Sequence, residues 1–184
     1  MTADDPTLLI VEDERELADL FAAWLNDDYE CRLAYDGREA LELVDDSVDV
    51  ILLDRRMPGL SGDDVLDELR DLGYRCPVGM VTAVEPDFDI VEMGFDDYIG
   101  KPVGADELRE FVSSLQAVSE YDSDVQELFR LSAKRASLEA AKNDAELARS
   151  EEYQRLLERI NERKRAADAA RDELLEDGPF SRWE

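Results

Sequence analysis

The sequence predicts an α/β protein with a doubly wound, five-stranded parallel sheet, followed by an all-helical segment. In the first two thirds of the 184-residue chain, five short runs of strand character alternate with stretches that have the periodicity of amphipathic helices. After Ser119 no glycine or proline occurs before Gly178, and the composition becomes rich in alanine and in mixed charges. We therefore expect strand order 2-1-3-4-5 with helices on both faces, then an α-helical hairpin or a coiled coil.

The five strands are predicted from runs bounded by polar or turn-forming residues. They fall near residues 7–11, 30–34, 49–53, 77–81 and 97–99. Near-continuous apolar runs, as in the first, third and fourth of these, are typical of parallel strands buried on both faces.

The helices between the strands are predicted from start signals and from one-sided apolar faces. Asp36 with Glu39, and Ser61 with Asp64, have the spacing of capping boxes for the second and third helices. Two helices have apolar residues at helical spacing: Leu17, Leu20, Phe21, Trp24 and Leu25 in the first, and Leu108, Phe111, Val112, Leu115 and Val118 in the last. Between the fourth and fifth strands, Pro86 and Gly94 bracket only a short helix.

Three carboxylates follow the first and third strands. Glu12 and Asp13 come directly after the first strand, and Asp54 follows the third. The carboxyl ends of parallel strands meet at one edge of the sheet, where ligands bind. Carboxylates brought together there repel one another unless a cation lies between them, and their hard oxygen atoms suit Mg²⁺. This cluster predicts a phosphoryl-transfer site.

Two more polar residues end the remaining strands of this edge. Thr82 follows the fourth strand and can donate to a phosphate oxygen, and Lys101 follows the fifth and supplies a positive charge. The series Glu12-Asp13, Asp54, Thr82 and Lys101-Pro102 resembles the receiver domain of two-component response regulators, a flavodoxin-like fold. The resemblance covers residues 6–118.

The resemblance implies a role for each acidic residue. Asp54 would be the nucleophile, and the residue modified, when a sensor histidine kinase donates its phosphoryl group. Asp13 and Asp54 would bind Mg²⁺ directly, Glu12 directly or through water, and Arg56 through its backbone carbonyl. No reaction on a separate substrate is expected, only Mg²⁺-dependent self-phosphorylation and slow autodephosphorylation at Asp54.

The resemblance also implies roles for the residues of the last two strands. Lys101 and Thr82 would contact the phosphoryl oxygens, and a cis peptide before Pro102 would hold the lysine in place. Thr82 and Tyr98 would form the switch, in which the aromatic ring turns inward when phosphate arrives. Arg55 and Arg56 depart from the smaller or uncharged residues common at these positions, and the Arg56 guanidinium could pair with the phosphate or block water, which leaves the lifetime of the phosphorylated state open.

Other interpretations of these residues remain open at this point. Asp13 with Glu16 also fits a capping box for the first helix, and Asp54 could be an ordinary turn aspartate. A phosphatase of the haloacid dehalogenase type is a further alternative. That class needs its nucleophile in an Asp-x-Asp motif on the first strand, whereas here the nucleophile candidate lies on the third.

Composition predicts the environment of the protein. The formal net charge is −27, and only four of the 21 basic residues are lysines. This balance is typical of the cytoplasm of an extreme halophile, an archaeal setting in which high salt screens self-repulsion. Cys31 and Cys76 are expected to be small buried residues in a reducing compartment. No signal peptide or long apolar run is present, so we expect a cytoplasmic protein with no membrane association.

The helical segment is divided by its own start signals. Ser123 with Gln126 predicts a helix over 124–147, and Ser150 before two glutamates starts a second over 150–176. The length of this whole helical segment and its Glu-Glu-Tyr sequence resemble the HalX domain found after receivers in haloarchaea. The predicted domains are a disordered N-terminus (1–5), the receiver (6–118), a joint (119–123), the HalX-like output domain (124–176) and a tail (177–184).

An apolar stripe on the second predicted helix raises the question of partners. It comprises Tyr153, Leu156, Ile160, Ala167, Ala170 and Leu174. A two-helix hairpin has too little core to stand alone, so it must pack on the receiver, on a second copy or on a partner. We expect a partner helix, in a homodimer or a downstream protein, and no direct DNA binding, because the basic cluster at 163–165 is flanked by acids. A transcription regulator whose helices bind DNA directly is the alternative.

Overall fold

Five parallel strands form one sheet in a computed structural model that describes residues 5–119, 121 and 123–177, of which only the backbone is described for 167–177. The order across the sheet is β2-β1-β3-β4-β5. The strands are β1 Thr7–Val11, β2 Glu30–Ala34, β3 Val48–Leu53, β4 Val78–Thr82 and β5 Asp97–Gly100. The predicted fold class and strand order are confirmed, and each strand lies within one residue of its predicted bounds.

Seven α-helices and one short 3₁₀ helix complete the described part of the chain. The sheet domain has α1 Arg15–Leu25, α2 Gly37–Leu43, α3 Gly62–Asp71, the 3₁₀ helix Phe88–Glu92 and α4 Ala105–Ser119. The C-terminal helices are α5 Ser123–Ala141, α6 Asp144–Arg149 and α7 Glu151–Asp177. No described helix is long and apolar enough to cross a membrane.

Alternation along the central strands builds a core on each face of the sheet. In β1, Leu8 and Ile10 point to the face covered by α1 and α4, whereas Leu9 and Val11 point to the face covered by α2 and α3. We call these the α1/α4 face and the α2/α3 face. All four side chains are at most 1% exposed, so helices on both faces exclude water from the sheet.

The start signals of the second and third helices are confirmed. The Asp36 carboxylate accepts from the backbone N–H groups of the first turn of α2, and Ser61 with Asp64 forms a capping box at α3. The alternative capping box at Asp13 is wrong, because α1 begins after Glu14 without any side-chain cap.

Several predicted burial positions differ in the structure. Leu20 is 42% exposed, because it lies at the edge of the buried face of α1, and Val118 is only partly buried near the end of α4. Cys31 and Cys76 are free thiols of intermediate burial rather than core residues. Cys76 lies in the turn before β4, since that strand begins at Val78.

The C-terminal helices form an antiparallel hairpin with an additional short helix at its turn. Tyr153 donates to Glu139, Arg159 to Glu127 and Arg163 to Asp124, so residue numbers rise on one helix as they fall on the other. The prediction of one helix over 124–147 is wrong. Asn143 and Glu146 form a capping box that starts α6 after α5 has ended, a signal present in the sequence and missed.

The start of the hairpin also differs from the prediction. Ser123 is already helical, and the Gln126 amide donates to the carbonyl oxygens of Ser119 and Tyr121. Gln126 thus links α5 to the end of α4. At the second predicted start, the Ser150 hydroxyl accepts from the backbone N–H of Tyr153, as the prediction requires.

The apolar stripe of α7 packs on the sheet domain of its own chain. Tyr153, Leu156 and Ile160 are 6%, 0% and 2% exposed and belong to the same core cluster as residues of β1, β3 and β4. The expectation that a partner helix covers this part of the stripe is therefore wrong. Ala167, Ala170 and Leu174 lie outside the residues whose side chains are described.

The stripe packs on the sheet domain because the segment between β4 and β5 is short. Only the 3₁₀ helix occupies it, as the short spacing between Pro86 and Gly94 predicts, so the α2/α3 face lacks a full helix over its β4 and β5 edge. The helix α5 contacts β5 and the 3₁₀ helix, and α7 contacts the 3₁₀ helix as well. The C-terminal helices therefore cover apolar surface that the sheet domain leaves open.

Candidate functional site

The candidate site begins with the pairing of the two central strands. Val11 is opposite Leu53 in the parallel ladder, so the next residues along each strand, Glu12 and Asp54, emerge side by side. The backbone N–H of Asp54 donates to the carbonyl of Val11 at 3.0 Å. Strand register alone thus brings carboxylates from two distant parts of the sequence to one edge.

The three predicted carboxylates do come together. Oxygen atoms of Glu12, Asp13 and Asp54 all lie within 4.8 Å of one another. Glu12 is 2% exposed and Asp54 is 8% exposed, whereas Asp13 is partly exposed at the mouth. Such a concentration of negative charge can hold a metal ion, because each carboxylate offers a hard oxygen ligand.

Lys101 reaches the acidic residues from the end of β5. Thr82 pairs with Gly100 across β4 and β5, and the backbone N–H of Lys101 donates to the Thr82 carbonyl at 2.9 Å. The ammonium group donates to Glu12 and, at 3.1 Å, to Oδ2 of Asp54. The peptide bond before Pro102 is cis, as the resemblance implies.

The pKa values of the buried pair reflect both burial and charge. Burial raises the pKa of Glu12 above its ordinary value, against the lowering effect of the hydrogen bond from Lys101. Burial alone would lower the pKa of Lys101, but the hydrogen bond to Glu12 and the charge of Asp54 more than compensate and raise it. The lysine is therefore a fixed positive charge inside the site.

Thr82 and Tyr98 are connected through one backbone residue. Thr82 is 1% exposed, and its hydroxyl accepts from the N–H of Val84 at 3.3 Å. The Tyr98 hydroxyl donates to the carbonyl of Val84 at 2.5 Å, and its ring, 8% exposed, packs 5.7 Å from that of Phe95. The tyrosine is thus already turned inward in this structure.

The two arginines after Asp54 have different environments. Arg56 is exposed, and its backbone N–H donates to Oδ1 of Asp54 at 3.3 Å. Arg55 is the better-held side chain, because its guanidinium bonds Asp63 at 2.9 and 3.0 Å and also donates to Asp89. Sequence reasoning considered both arginines but missed the bridge made by Arg55, which depends on residues up to 34 positions away.

Gly62 is a further site residue that the sequence analysis missed. A Cβ atom at this position would lie 2.1 Å from the Asp54 carbonyl oxygen and 2.8 Å from Cα of Arg55. The first turn of α3 therefore lies directly against the backbone that carries Asp54. No sequence signal distinguishes this glycine from one required by a turn, because the close approach arises only in the folded chain.

A parallel sheet with an acidic cluster and a lysine at its carboxyl edge is the architecture of a receiver, and comparison with known families agrees. The chain belongs to the response regulator receiver domain family, which matches residues 8–113, and a HalX domain matches residues 117–181. The sheet domain is therefore a receiver domain, and the C-terminal helices lie within the HalX match.

Relatives of known name share parts of the chain. A protein of Haloferax volcanii, named as a candidate transcriptional regulator, is 48% identical over 139 residues, 75% of this chain and 24% of that protein. The transcriptional regulatory protein CpxR of Escherichia coli is 40% identical over 115 residues, 60% of this chain and 48% of that protein. The chain thus spans between a quarter and a half of the length of these relatives.

Solved receiver structures share the fold of the sheet domain. The receiver domain of the Francisella response regulator 1452 is 31% identical with a TM-score of 0.58, covering 62% of this chain and 99% of that one. The response regulator TrrA of Thermotoga maritima, solved in complex with Mg²⁺ and BeF, is 30% identical with a TM-score of 0.52, covering 59% of this chain and 97% of that one.

Proposed function

We propose that Asp54 accepts a phosphoryl group from a sensor histidine kinase and that Mg²⁺ assists the transfer. The observation that supports the proposal best is the meeting of Glu12, Asp13 and Asp54 within 4.8 Å, with one lysine ammonium between two of them. One positive charge leaves the group with a net negative charge. A divalent cation and an incoming phosphoryl group would restore the balance.

The residues present fit Mg²⁺. The donors are carboxylate oxygens from Glu12, Asp13 and Asp54, with the Arg56 carbonyl as a further oxygen, and this hard set suits a small divalent cation. When bound, Mg²⁺ would neutralise charge on the phosphoryl oxygens. The related TrrA structure contains Mg²⁺ with BeF, which makes the same assignment reasonable here.

The side chains of the protein supply position and charge. An oxygen of Asp54 forms the new P–O bond while the P–N bond of the donor phosphohistidine breaks, and the imidazole leaves with a proton. Lys101 and Thr82 lie around Asp54 in the same cleft, where an ammonium and a hydroxyl can contact the transferred oxygens. The protein would act on no separate substrate, so phosphorylation and slow autodephosphorylation at Asp54 are its only chemistry.

The switch would involve Thr82 and Tyr98. Movement of the Thr82 hydroxyl toward a phosphoryl group would take it from the Val84 N–H, and the Val84 carbonyl holds the Tyr98 hydroxyl. The inward position of Tyr98 in this structure means that phosphorylation would stabilise a position already available to the ring.

Labelling with acetyl phosphate tests the phosphoacceptor. We expect the wild-type protein to be labelled in the presence of Mg²⁺ and unlabelled with a chelator, and Asp54→Asn to be unlabelled in both conditions. Asp67→Asn is the matched control, because Asp67 is an exposed residue of α3 away from the cleft. Phosphate-affinity electrophoresis measures the result, and equal labelling of wild type and Asp54→Asn would overturn the proposal.

We also propose a cytoplasmic protein adapted to high salt, and a HalX domain that signals through protein contacts. The net charge of −27 supports the first part, because screening by salt would relieve the repulsion among so many carboxylates. Arg163 is paired with Asp124 at 2.9 Å, which supports the second part, since a DNA-binding surface needs free cations.

Direct DNA binding is the second candidate output, favoured by the name of the Haloferax volcanii relative. A gel shift with promoter DNA at increasing KCl distinguishes direct DNA binding from signalling through protein contacts. Sequence-specific binding that survives high salt would support the transcription regulator, and its absence would support signalling through protein contacts.

A further inference from the structure

The segment between β4 and β5 lies between the phosphoacceptor cleft and the HalX domain. We call residues 87–93, which include the 3₁₀ helix, the 3₁₀ segment. Ile90 and Val91 are fully buried against the core that the HalX domain completes, while Asp87 and Asp89 line the cleft that contains Asp54. One short segment thus has an apolar side toward the HalX domain and an acidic side toward the site.

One side chain ties the 3₁₀ segment to the site. The Arg55 guanidinium, whose side chain is 11% exposed, bonds Asp63 at the start of α3 and Asp89 in the 3₁₀ helix. Because Arg55 directly follows Asp54 in the chain, this bridge lies in the immediate surroundings of the phosphoacceptor. The two carboxylates hold the arginine in place in the absence of phosphate.

Two lysines tie the 3₁₀ segment to the HalX domain. Lys134 of α5 is 2% exposed and donates to the carbonyl oxygens of Val91, at 3.0 Å, and of Met93. Lys142, just after α5, pairs with Asp87 at 3.0 Å and lies 5.6 Å from the centre of the Phe88 ring. These are half of the four lysines in the whole sequence.

We propose that the 3₁₀ segment couples the phosphoacceptor cleft to the HalX domain, with Arg55 as the positioning residue that responds to charge at Asp54. The inference rests on the proposed function. A phosphoryl group adds a charge of about −1.5 to −2 and three acceptor oxygens to the cleft that Arg55 lines. Phosphate then competes with Asp89 for the guanidinium, and the 3₁₀ segment loses its tie to the site.

The consequence is a change in the contacts of α5. With Asp89 released, the 3₁₀ segment loses its tie to Arg55, so its contacts with Lys134 and Lys142 loosen. Coupling of this kind is reciprocal, because a binding event that loosens a contact is itself favoured when that contact is removed. Weakening the contact from the HalX side therefore facilitates phosphorylation of Asp54.

Hydrogen exchange on the full chain tests the site side. In wild type, phosphorylation should speed amide exchange in the 3₁₀ segment and in α5 by at least about fivefold, the lower end of typical allosteric couplings. Asp89→Asn, unphosphorylated, should already exchange faster there and respond less to acetyl phosphate. Asp106→Asn is the matched control, since Asp106 is an exposed aspartate that pairs with Arg109 on α4.

Equilibrium binding of beryllofluoride, a mimic of the phosphoryl group, tests the HalX side. Lys142→Met removes the pair with Asp87 at a partly exposed position, and we expect its affinity for beryllofluoride with Mg²⁺ to rise by at least about fivefold. Lys164→Met, at an exposed position of α7, should keep the wild-type affinity.

The outcomes separate the inference from the proposed function. If wild type is never labelled at Asp54, the proposed function fails, yet faster exchange in unphosphorylated Asp89→Asn would still support the coupling through the 3₁₀ segment. If labelling is normal but Asp89→Asn shows wild-type exchange in α5 before and after phosphorylation, the inference is overturned and the proposed function stands. An unchanged affinity of Lys142→Met for beryllofluoride would overturn the reciprocal part.

Discussion

The two faces of the sheet are closed in different ways. The α1/α4 face is covered by helices of the receiver itself, and its core is made by residues between Leu8 and Leu115. The α2/α3 face uses α2 and α3 for one half and depends on the HalX domain for the other. That domain supplies six buried apolar side chains to this core: Leu131, Leu138, Leu147, Tyr153, Leu156 and Ile160.

The difference shows that the receiver core extends across the domain boundary. A short 3₁₀ helix buries too little surface to cover β4 and β5, so the hydrophobic effect favours docking of the next helices in the chain. Charged side chains secure the docking: Asp96, 7% exposed, accepts from Arg70 of α3 and from Arg130 of α5. The HalX domain thus completes the core on this face of the receiver.

The largest effect is expected from Ile160→Asp, which tests whether the core on the α2/α3 face depends on the HalX domain. Ile160 is 2% exposed, and an aspartate there would place an unpaired charge in the core, at a cost of about 3–5 kcal/mol. We expect a much lower unfolding midpoint in denaturant and loss of exchange protection in α5 and α7, measured in multi-molar KCl.

Leu20→Asp is the control for this change. It introduces the same charge at a residue of α1 that is 42% exposed, and its midpoint should stay close to that of wild type. If Ile160→Asp instead keeps full stability and only changes molar mass by light scattering, a second copy rather than the receiver covers α7, and the comparison of the two faces is wrong.

A smaller effect is expected on the other face from Gly79→Ala. A Cβ atom on Gly79 of β4 would lie 2.5 Å from Cε1 of Phe111 and 2.6 Å from Cδ1 of Leu115, so α4 would have to shift. Overpacking of this kind costs about 1–3 kcal/mol. Thermal or denaturant unfolding measures it, with Gly100→Ala of β5 as the control, because no atom lies within 4 Å of a Cβ there. Equal midpoints for the two variants would mean that the α1/α4 face tolerates expansion.

The smallest effect, counted per pH unit, is a pH dependence from Lys134. Burial, and then the nearby charges of Arg130 and Arg159, lower the pKa of Lys134 from 10.5 to about 8. Between these values the unfolded chain binds a proton that the folded chain does not, so this group makes stability rise with pH. The slope is at most about 1.4 kcal/mol per pH unit.

Comparison with Lys134→Met isolates this contribution. Between pH 7 and 10, the denaturant midpoint of wild type should increase relative to that of the variant as pH rises. Titrating groups that the two proteins share contribute to both midpoints and cancel in the difference. Parallel pH profiles would mean that Lys134 keeps its ordinary pKa and that its position between the two domains is open to water.

The order of chemical residue types along the chain carried much of the receiver prediction. Apolar runs ending in Glu12-Asp13, Asp54, Thr82 and Lys101 indicate strands and their carboxyl ends, since local pattern and strand register are enough to bring such residues together. The helix caps at Asp36 and Ser61 could also be predicted from the sequence, because their partners lie three residues away. The short length of the segment between Pro86 and Gly94 was also evident from the sequence.

Only the tertiary structure decided what fills the space that this short segment leaves. The stripe at Tyr153, Leu156 and Ile160 has the same pattern whether it meets a partner, a second copy or its own receiver, because hydrophobic burial is non-directional. Arg55 with Asp89, and Lys134 with the carbonyl of Val91, are contacts between residues 34 and 43 positions apart. Local propensity does not encode such pairs; they exist because elements distant in the sequence pack together around one sheet, and the free energy of that packing belongs to the whole chain.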